Sequence, residues 1–236
     1  MKVKIACFSD THTKHQDVVI PECDIAIFAG DASNRGSMYD IIPFMEWYNK
    51  QYQATRKIWI AGNHDVTLDR KRTGETKYPE WFENAIRVYE NIHYLEHNSI
   101  NLFGLNIFGS PYTPEFYPEY WGFNVKRGPN IRAYWNSIPD NTDVLVVHGP
   151  MRGTLDWVSM EYNRVEYPAG HVGCDDLRDR VYQLKQLKLF TFGHIHSNTG
   201  ILYLPIGDKE LVCVNAAVVD QKYNFKHQPQ IIELDV

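Results

Sequence analysis

Residues 3–12 read Val-Lys-Ile-Ala-Cys-Phe-Ser-Asp-Thr-His, an apolar run that ends in side chains able to bind a metal ion. Similar apolar runs occupy 25–29 and 57–60, and each run predicts a β-strand. Between the last two, residues 38–52 carry apolar side chains at three- and four-residue spacing, which predicts a helix. Strands that alternate with a helix indicate an α/β fold whose sheet is largely parallel and buried.

The chain beyond His93 changes to shorter strands. We predict a hairpin of 99–102 and 105–108, strands at 143–147, 189–192, 210–215 and 230–234, and a helix at 174–187. Residues 111–129 are rich in Pro, Tyr and Trp, which predicts an ordered surface loop of the kind that shapes a site. Because no linker-like tract or repeat interrupts the sequence, we expect a single domain over 1–236.

Composition narrows the class of protein. Hydrophobic residues make up 44% of the chain, which is typical of a globular protein. The net charge of −5 argues against a sequence-independent nucleic-acid binder, although nucleic acid stays open as a substrate. The four cysteines are scattered, which favours free thiols in a reducing compartment, and the N-terminus lacks the features of a signal peptide. No apolar stretch reaches the ~18 residues of a membrane span. We therefore expect a soluble cytoplasmic protein, whose oligomeric state the sequence leaves open.

Polar residues able to bind metal ions follow apolar strands at five places. They are Asp10 and His12; Asp31; Asn63 and His64; His148; and His194 and His196. Ligands of open α/β sheets bind outside the carboxyl ends of the strands. Five strand ends of this kind predict that these side chains converge on one rim of the sheet.

The donor set indicates the kind of metal site. Two carboxylates, one amide oxygen and four imidazoles, without His64, suit Mn, Fe, Zn, Co or Ni better than Ca. Seven ligands are too many for one tetrahedral ion but enough for two ions that share a bridging carboxylate. Two metal ions ~3.5–4 Å apart, which clamp the attacking and leaving oxygens, commonly hydrolyse phosphate esters.

Five sequence blocks, in order, resemble those of calcineurin-like metallophosphoesterases. They are Phe8-Ser-Asp10-Thr-His12, Gly30-Asp31, Gly62-Asn63-His64-Asp65, Val147-His148-Gly149 and Gly193-His194-Ile195-His196. The resemblance covers essentially the whole chain. It implies a four-layer sandwich, in which two packed mixed sheets are flanked by helices and the metal ions lie at the rim between the sheets.

The resemblance also implies a role for each site residue. The first metal ion would be held by Asp10, His12 and His196, the second by Asn63, His148 and His194, and Asp31 would bridge them. His64 would face the substrate and protonate the leaving oxygen, with Asp65 fixing its tautomer, after attack by a metal-bound hydroxide. Residues 30–36, Gly-Asp-Ala-Ser-Asn-Arg-Gly, are similar to a block of the protein phosphatases, which makes Arg35 a candidate phosphate contact.

A narrower resemblance concerns the substrate. Residues 108–114, 121–124, 127–128, 142–150 and 214–217 are similar to the brain-239-type metallophosphoesterase subgroup. This likeness implies a phosphodiesterase that acts on small nucleotides such as 3′,5′-cyclic nucleotides, with Mn favoured for activity. A phosphomonoesterase (including a protein phosphatase), a nuclease and a non-catalytic binding scaffold stay open as alternatives, although every ligand position is occupied.

Several other residues have a simpler interpretation. We interpret His15 as a solvated loop histidine in preference to a phosphate contact, and His93, His97, His171 and His227 as surface or structural residues. The aromatic residues of 111–129 could stack on a nucleobase, but we favour a packing role for them. Lys126, Arg127 and Arg132 are interpreted as a solvated basic face, and Asp175 and Asp176 as helix N-terminal residues.

Overall fold

The computed structural model describes residues 1–117, 119–158 and 170–236. Its strands are β1 (Lys2–Phe8), β2 (Cys23–Phe28), β3 (Ala54–Trp59), β4 (Ile92–Tyr94), β5 (Asn98–Leu102), β6 (Leu105–Ser110), β7 (Thr113–Pro114), β8 (Asn124–Val125), β9 (Val144–Val147), β10 (Trp157–Val158), β11 (Gly170–His171), β12 (Leu189–Phe192), β13 (Gly200–Ile206), β14 (Lys209–Asn215) and β15 (Gln230–Asp235). Its helices are α1 (Met38–Asn49), α2 (Arg70–Thr73), α3 (Glu80–Val88), α4 (Pro129–Asn136) and α5 (Asp175–Val181), with 3-10 turns at His15–Asp17 and Val66–Leu68.

Two mixed sheets form the centre of the molecule. The first has the strand order β15-β1-β2-β3-β4, in which β1 to β4 are parallel and β15 is an antiparallel edge. The second has the order β13-β14-β12-β9-β6-β5, with a parallel centre and antiparallel edges at β5 and β13. Both sheets thus have parallel central strands, with one antiparallel edge in the first sheet and two in the second.

The two sheets pack face to face through alternate residues of their strands. Ile5 and Ile27 of the first sheet share one buried apolar cluster with Ile107 and Val146 of the second. Because successive strand residues point to opposite faces, the residues between them point outward and meet the helices. Each fully buried side chain of this size contributes ~1.5–3 kcal/mol, so this inner layer fixes the strand ends firmly.

Helices cover the outer face of each sheet. Phe28 of β2 packs against Phe44 of α1, with ring centroids 4.5 Å apart. On the other side, Phe190 of β12 is buried in a cluster with Trp135 of α4 and Leu177 of α5. The layers therefore run helix, sheet, sheet, helix, which confirms the predicted α/β sandwich.

The secondary-structure predictions differ from the structure mainly in their ends. The hairpin of β5 and β6 and the strand at 189–192 are confirmed. The predicted helix 174–187 ends at Val181, because the following turns bond three residues apart and direct Leu184 and Leu187 into the core. No prediction covers α3, α4 or β13, although Pro129 stands in the first turn of α4, where proline is favoured.

Parallel strands bring the predicted site residues to one edge of the molecule. Asp10, Asp31 and Asn63 lie beyond the carboxyl ends of β1, β2 and β3, and His148 and His194 lie beyond those of β9 and β12. Backbone hydrogen bonds join neighbouring strand ends, and one joins Gly193 N–H to the carbonyl of His148 at 2.9 Å.

Among the helices of the described residues, none combines the length and the apolar character needed to cross a membrane.

Candidate metal centre

The backbone is strained where the predicted ligands lie. Asp10, His12, Asp31 and His194 all have left-handed backbone conformations, with φ of 55°, 41°, 62° and 68°. Such a conformation costs a residue other than glycine of the order of 1–3 kcal/mol and persists only where neighbouring structure enforces it. Hydrogen bonds from the N–H of Asp10 to Gly30 and from that of His12 to Asp31 supply part of that constraint. Strain of this kind is typical of functional sites.

Two glycines let the carboxylates approach the backbone closely. A Cβ atom added at Gly62 would lie 2.2 Å from Oδ1 of Asp31, and one added at Gly193 would lie 2.0 Å from Oδ2 of Asp10. Both distances are far below a van der Waals contact. Any side chain at either position would therefore displace a predicted ligand.

The Asp31 carboxylate lies at the centre of the site. Its Oδ2 atom is 3.3 Å from Nε2 of His148, 3.7 Å from Nε2 of His12 and 3.9 Å from Nε2 of His64. Its Oδ1 atom accepts a hydrogen bond from the backbone N–H of His64. Burial raises the pKa of Asp31, but the surrounding imidazoles outweigh burial and hold it well below its usual range. A single anionic oxygen thus faces histidines from three separate strand ends, as a bridging ligand would.

The first group of ligand atoms consists of Asp10, His12 and His196, whose donor atoms lie within 4.8 Å of one another. Nε2 of His196 is 3.2 Å from Oδ1 of Asp10, and Oδ2 of Asp10 accepts a hydrogen bond from the Ser9 hydroxyl. Burial raises the pKa of Asp10, but the bond to His196 and the nearby imidazoles lower it to about 2. The carboxylate therefore stays ionised.

His12 provides a direct test of whether a metal ion fits. Its side chain is fully buried, and neither ring nitrogen has a hydrogen-bond partner in the described part of the chain. Burial lowers the pKa of His12 to about 3, which keeps the imidazole neutral, the form that binds metals. An unpartnered buried polar group costs about 1–3 kcal/mol. A cation between His12 and Asp31 would remove that cost.

His148 and Asn63 belong to the second group of predicted ligands. His148 donates from Nδ1 to the carbonyl oxygen of Ala29 at 2.8 Å, which fixes the ring and directs Nε2 into the site. Nε2 is 2.9 Å from Oδ1 of Asn63. Burial lowers the pKa of His148, but the Asp31 carboxylate outweighs burial and raises this pKa to about 9. A cation bound here would replace the proton on Nε2.

His194 completes this second group. Its ring centroid lies 5.1 Å from that of His148, and its backbone N–H donates to both oxygens of Asp10. Burial lowers the pKa of His194 to about 3, so the ring is neutral. The structure therefore brings all seven predicted ligands to one rim, with the Asp31 carboxylate among them.

His64 lies beside this centre with one nitrogen anchored. Nδ1 donates to the carbonyl oxygen of Asn34 at 2.8 Å, and Nε2 points towards Asp31. The His64 ring packs against Trp121, with centroids 4.0 Å apart. Its Nε2 also lies within 4.8 Å of ligand atoms of His12 and Asp31. The geometry thus permits either a proton transfer to the substrate or a metal contact.

The predicted contact from Asp65 to His64 is wrong. In the described residues the Asp65 carboxylate instead accepts hydrogen bonds from the N–H groups of Asp31, Ala32, Ser33 and Gly62 and from the Ser33 hydroxyl. These five donors occupy both oxygens, and Asn34 takes the place at His64. Burial raises the pKa of Asp65 to about 6. Asp65 therefore fixes the loop that carries Asp31.

Arg35 lies further out than the phosphate-contact prediction implies. Its side chain is exposed and its guanidinium carbon lies 5.2 Å from the ring centroid of Trp121, which itself packs on His64. Arg35 is not among the described residues that line the cleft at the metal centre. Arg35 therefore lies at the outer edge of the cleft in this conformation.

Aromatic residues that the sequence analysis did not assign to the site surround the cleft, whose volume is about 310 Å³. Trp121 and Phe116, of the 111–129 loop, pack on His64 and His194. Tyr223 meets the rings of His12, His64 and His196 with centroids 4.7, 6.2 and 5.3 Å away. No spacing pattern in the sequence indicates Tyr223.

The 111–129 loop has two roles. Tyr112 and Phe123 are buried in the core, which agrees with the packing interpretation, whereas Phe116 and Trp121 line the site. The loop contains β7 and β8, which pair in parallel, and Pro118 lies outside the described residues.

His15 and two arginines of the basic cluster have structural contacts. The prediction of a solvated His15 is wrong, because its side chain is buried against Phe44 and Trp47. The interpretation of the basic cluster as a solvated face is also incomplete. Arg127 donates to two backbone carbonyls and Arg132 binds Asp176, so both arginines anchor neighbouring segments.

Comparisons with known proteins agree with this geometry. The model of the calcineurin-like phosphoesterase family matches residues 3–198. The chain is similar to metallophosphoesterase domain-containing protein 1 of Homo sapiens and of Mus musculus, with 34% identity over 245 residues, covering 98% of this chain and 71% of each relative. A solved crystal structure superposes with a TM-score of 0.63 over 100% of both chains, at 14% identity. The chain belongs to the calcineurin-like phosphoesterase family, whose members are phosphoester hydrolases with a dinuclear divalent metal centre.

Proposed function

We propose that this protein is a two-metal-dependent phosphodiesterase that hydrolyses small nucleotides such as 3′,5′-cyclic nucleotides. The observation that carries the proposal is the Asp31 carboxylate, whose Oδ2 atom faces the Nε2 atoms of His12, His64 and His148 within 3.9 Å. Donors gathered around one anionic oxygen support a pair of cations that share it.

We assign the first metal ion to Asp10, His12 and His196 and the second to Asn63, His148 and His194, with Asp31 shared. When bound, two such ions polarise the phosphoryl group and make water a stronger nucleophile near neutral pH. The mixed nitrogen and oxygen donors suit Mn, Fe, Zn, Co or Ni, and we propose Mn for activity.

His64 would deliver the proton to the leaving oxygen. With Nδ1 donating to the Asn34 carbonyl, only Nε2 of this ring can exchange a proton with a substrate in the cleft. The packing of Trp121 on the ring supports a fixed orientation. General acid catalysis of this kind contributes ~10²–10⁴-fold to a rate.

Arg35 would bind the phosphoryl oxygens from the outer edge of the cleft. A guanidinium group suits bidentate binding of phosphate, and its present contact with Trp121 is exposed and worth only ~0.5–1 kcal/mol. The side chain could therefore leave the Trp121 ring when a phosphate anion enters the cleft.

A small substrate agrees with the size and walls of the cleft. Its volume of about 310 Å³ lies at the lower end of the range for small-molecule sites, and Phe116, Trp121 and Tyr223 line it. The net charge of −5 provides no general attraction for a nucleic acid. We further propose that residues 1–236 form one domain. We also propose a cytoplasmic location, because four buried free cysteines suit a reducing compartment.

A metal analysis and a substrate screen test this proposal together. We expect purified protein to contain close to two transition metal ions per chain by elemental analysis. With added Mn, it should hydrolyse bis-p-nitrophenyl phosphate and cyclic nucleotides faster than p-nitrophenyl phosphate. A preference for the monoester would favour a phosphomonoesterase, and metal-loaded protein inactive on every ester would favour a binding scaffold. Activity in metal-free protein would contradict the proposal.

A further inference from the structure

A second cavity opens beside the metal cleft. Its volume is about 540 Å³, and it shares Phe116, Tyr117 and His194 with the cleft as common walls. Because His194, one of the predicted metal ligands, lines both cavities, the second cavity lies next to the predicted metal centre. The volume lies within the ~300–1,000 Å³ typical of small-molecule sites.

Two exposed arginines that line the second cavity donate hydrogen bonds to backbone carbonyls. Arg127 donates to the carbonyl oxygens of Val172 at 2.6 Å and Gly173 at 3.0 Å. Arg152 donates from Nη1 to the carbonyl of His171 at 3.2 Å. A guanidinium has five N–H donors, so each arginine keeps others for a ligand.

The charge balance of the cavity argues against a second phosphate subsite. Glu115 and Asp175 line the same cavity as Arg127 and Arg152, and Nε of Arg152 lies 3.6 Å from Asp175. Two carboxylates therefore offset the two guanidinium groups. An additional phosphate would meet the Asp175 carboxylate beside Arg152.

Among the described residues the remaining lining is mixed: Thr113 and His171 are polar, whereas Pro114, Pro150, Val158 and Ile195 provide apolar surface. A cavity with apolar surface and both hydrogen-bond donors and acceptors suits a planar heterocycle that has donors and acceptors on its own edge. A nucleobase has this chemistry, and every base presents an apolar ring face.

We propose that this second cavity binds the nucleoside part of the substrate, with Arg152 as the residue that hydrogen-bonds the base. The proposal rests on the proposed function, because it requires the phosphate of the same molecule to lie at the metal centre. It identifies the ester group that the enzyme prefers: a nucleoside rather than a simple alkyl or aryl group.

Two substrates with the same leaving group isolate this subsite. Thymidine 5′-p-nitrophenyl phosphate and methyl p-nitrophenyl phosphate both release p-nitrophenol, so the ratio of their kcat/KM values reports the nucleoside alone. In Arg152→Met, which keeps the length of the aliphatic chain, we expect this ratio to fall about tenfold, as for the loss of one hydrogen bond to a charged group. The matched control is Arg87→Met, because Arg87 pairs with Glu83 on α3 and does not line the described part of the cavity. The control should keep the wild-type ratio.

A binding measurement separates failure of the subsite from failure of the proposed function. We expect Arg152→Met to weaken binding of thymidine 5′-monophosphate to the Mn-loaded protein about tenfold by calorimetry, relative to methyl phosphate. An Arg152→Met protein that hydrolyses both esters with the wild-type ratio would overturn the subsite and leave the phosphodiesterase intact. If the wild type hydrolyses neither ester, the proposed phosphodiesterase function is wrong. The subsite is then decided by the two affinities alone, and equal affinities in wild type and variant would overturn it.

Discussion

Substitution of Asp65 separates two accounts of this residue. The family resemblance implies that Asp65 orients His64, whereas the structure gives its carboxylate five donors in the loop that carries Asp31. The first account predicts a catalytic defect in a stable protein. The second predicts a loss of stability and of bound metal.

The hydrogen bonds give the size of the effect. In Asp65→Asn, the amide oxygen can still accept hydrogen bonds from the three N–H groups that Oδ2 binds. The amide NH₂ then replaces Oδ1 and faces the N–H of Ser33, so two donors meet and this N–H loses its acceptor. The Ser33 hydroxyl can rotate to accept a hydrogen bond. One orphaned buried donor costs about 1–3 kcal/mol. In Asp65→Ala all five donors lose their acceptor, and at about 1 kcal/mol each the loss is about 5 kcal/mol. This loss is comparable with the whole stability of a small protein.

Urea unfolding in the presence of a chelator measures the effect on the metal-free protein. We expect Asp65→Asn to lower the free energy of unfolding by about 1–3 kcal/mol and to reduce the metal content, because the Asp31 loop is no longer fixed. Asp179→Asn, at an exposed carboxylate of α5, is the control and should match the wild type. An Asp65→Asn protein with wild-type stability and two metal ions, but without turnover, would show that Asp65 acts on His64.

Three further substitutions test the site. His64→Ala should keep both metal ions by elemental analysis and lose ~10²–10⁴-fold in kcat, most of all for alkyl leaving groups, which need a proton; loss of a metal ion would instead make His64 a ligand. Gly193→Ala should lose the first metal ion, since its Cβ atom would lie 2.0 Å from Oδ2 of Asp10; two metal ions per chain in this variant would contradict the assignment. Trp121→Ala should lower kcat about tenfold with both metal ions retained, because His64 loses its packing partner, whereas the control Tyr120→Ala, at an exposed position, should not.

The sequence predicts the parts of this fold that depend on local pattern. Apolar runs identify the central strands, and a polar residue after each run identifies the rim at which Asp10, Asp31 and His148 lie. The limits of the elements are less predictable, because tertiary packing decides them. Helix α5 ends where Leu184 and Leu187 turn into the core.

The contacts of the site depend on residues far apart in the chain, and sequence spacing does not give them. The carbonyl of Ala29 fixes His148 across 119 positions, and Asn34 holds the His64 ring across 30. Tyr223 reaches His12 from a turn near the end of the chain. Such partners are set by how the two sheets pack, so the sequence identifies the donors but not the groups that orient them.

The central claim is that two metal ions lie on either side of the Asp31 carboxylate. Anomalous diffraction from crystals grown with Mn measures this directly. We expect two peaks ~3.5–4 Å apart, one beside Asp10, His12 and His196 and the other beside Asn63, His148 and His194, with an Asp31 oxygen between them. A single peak, or two peaks that do not share Asp31, would contradict the account.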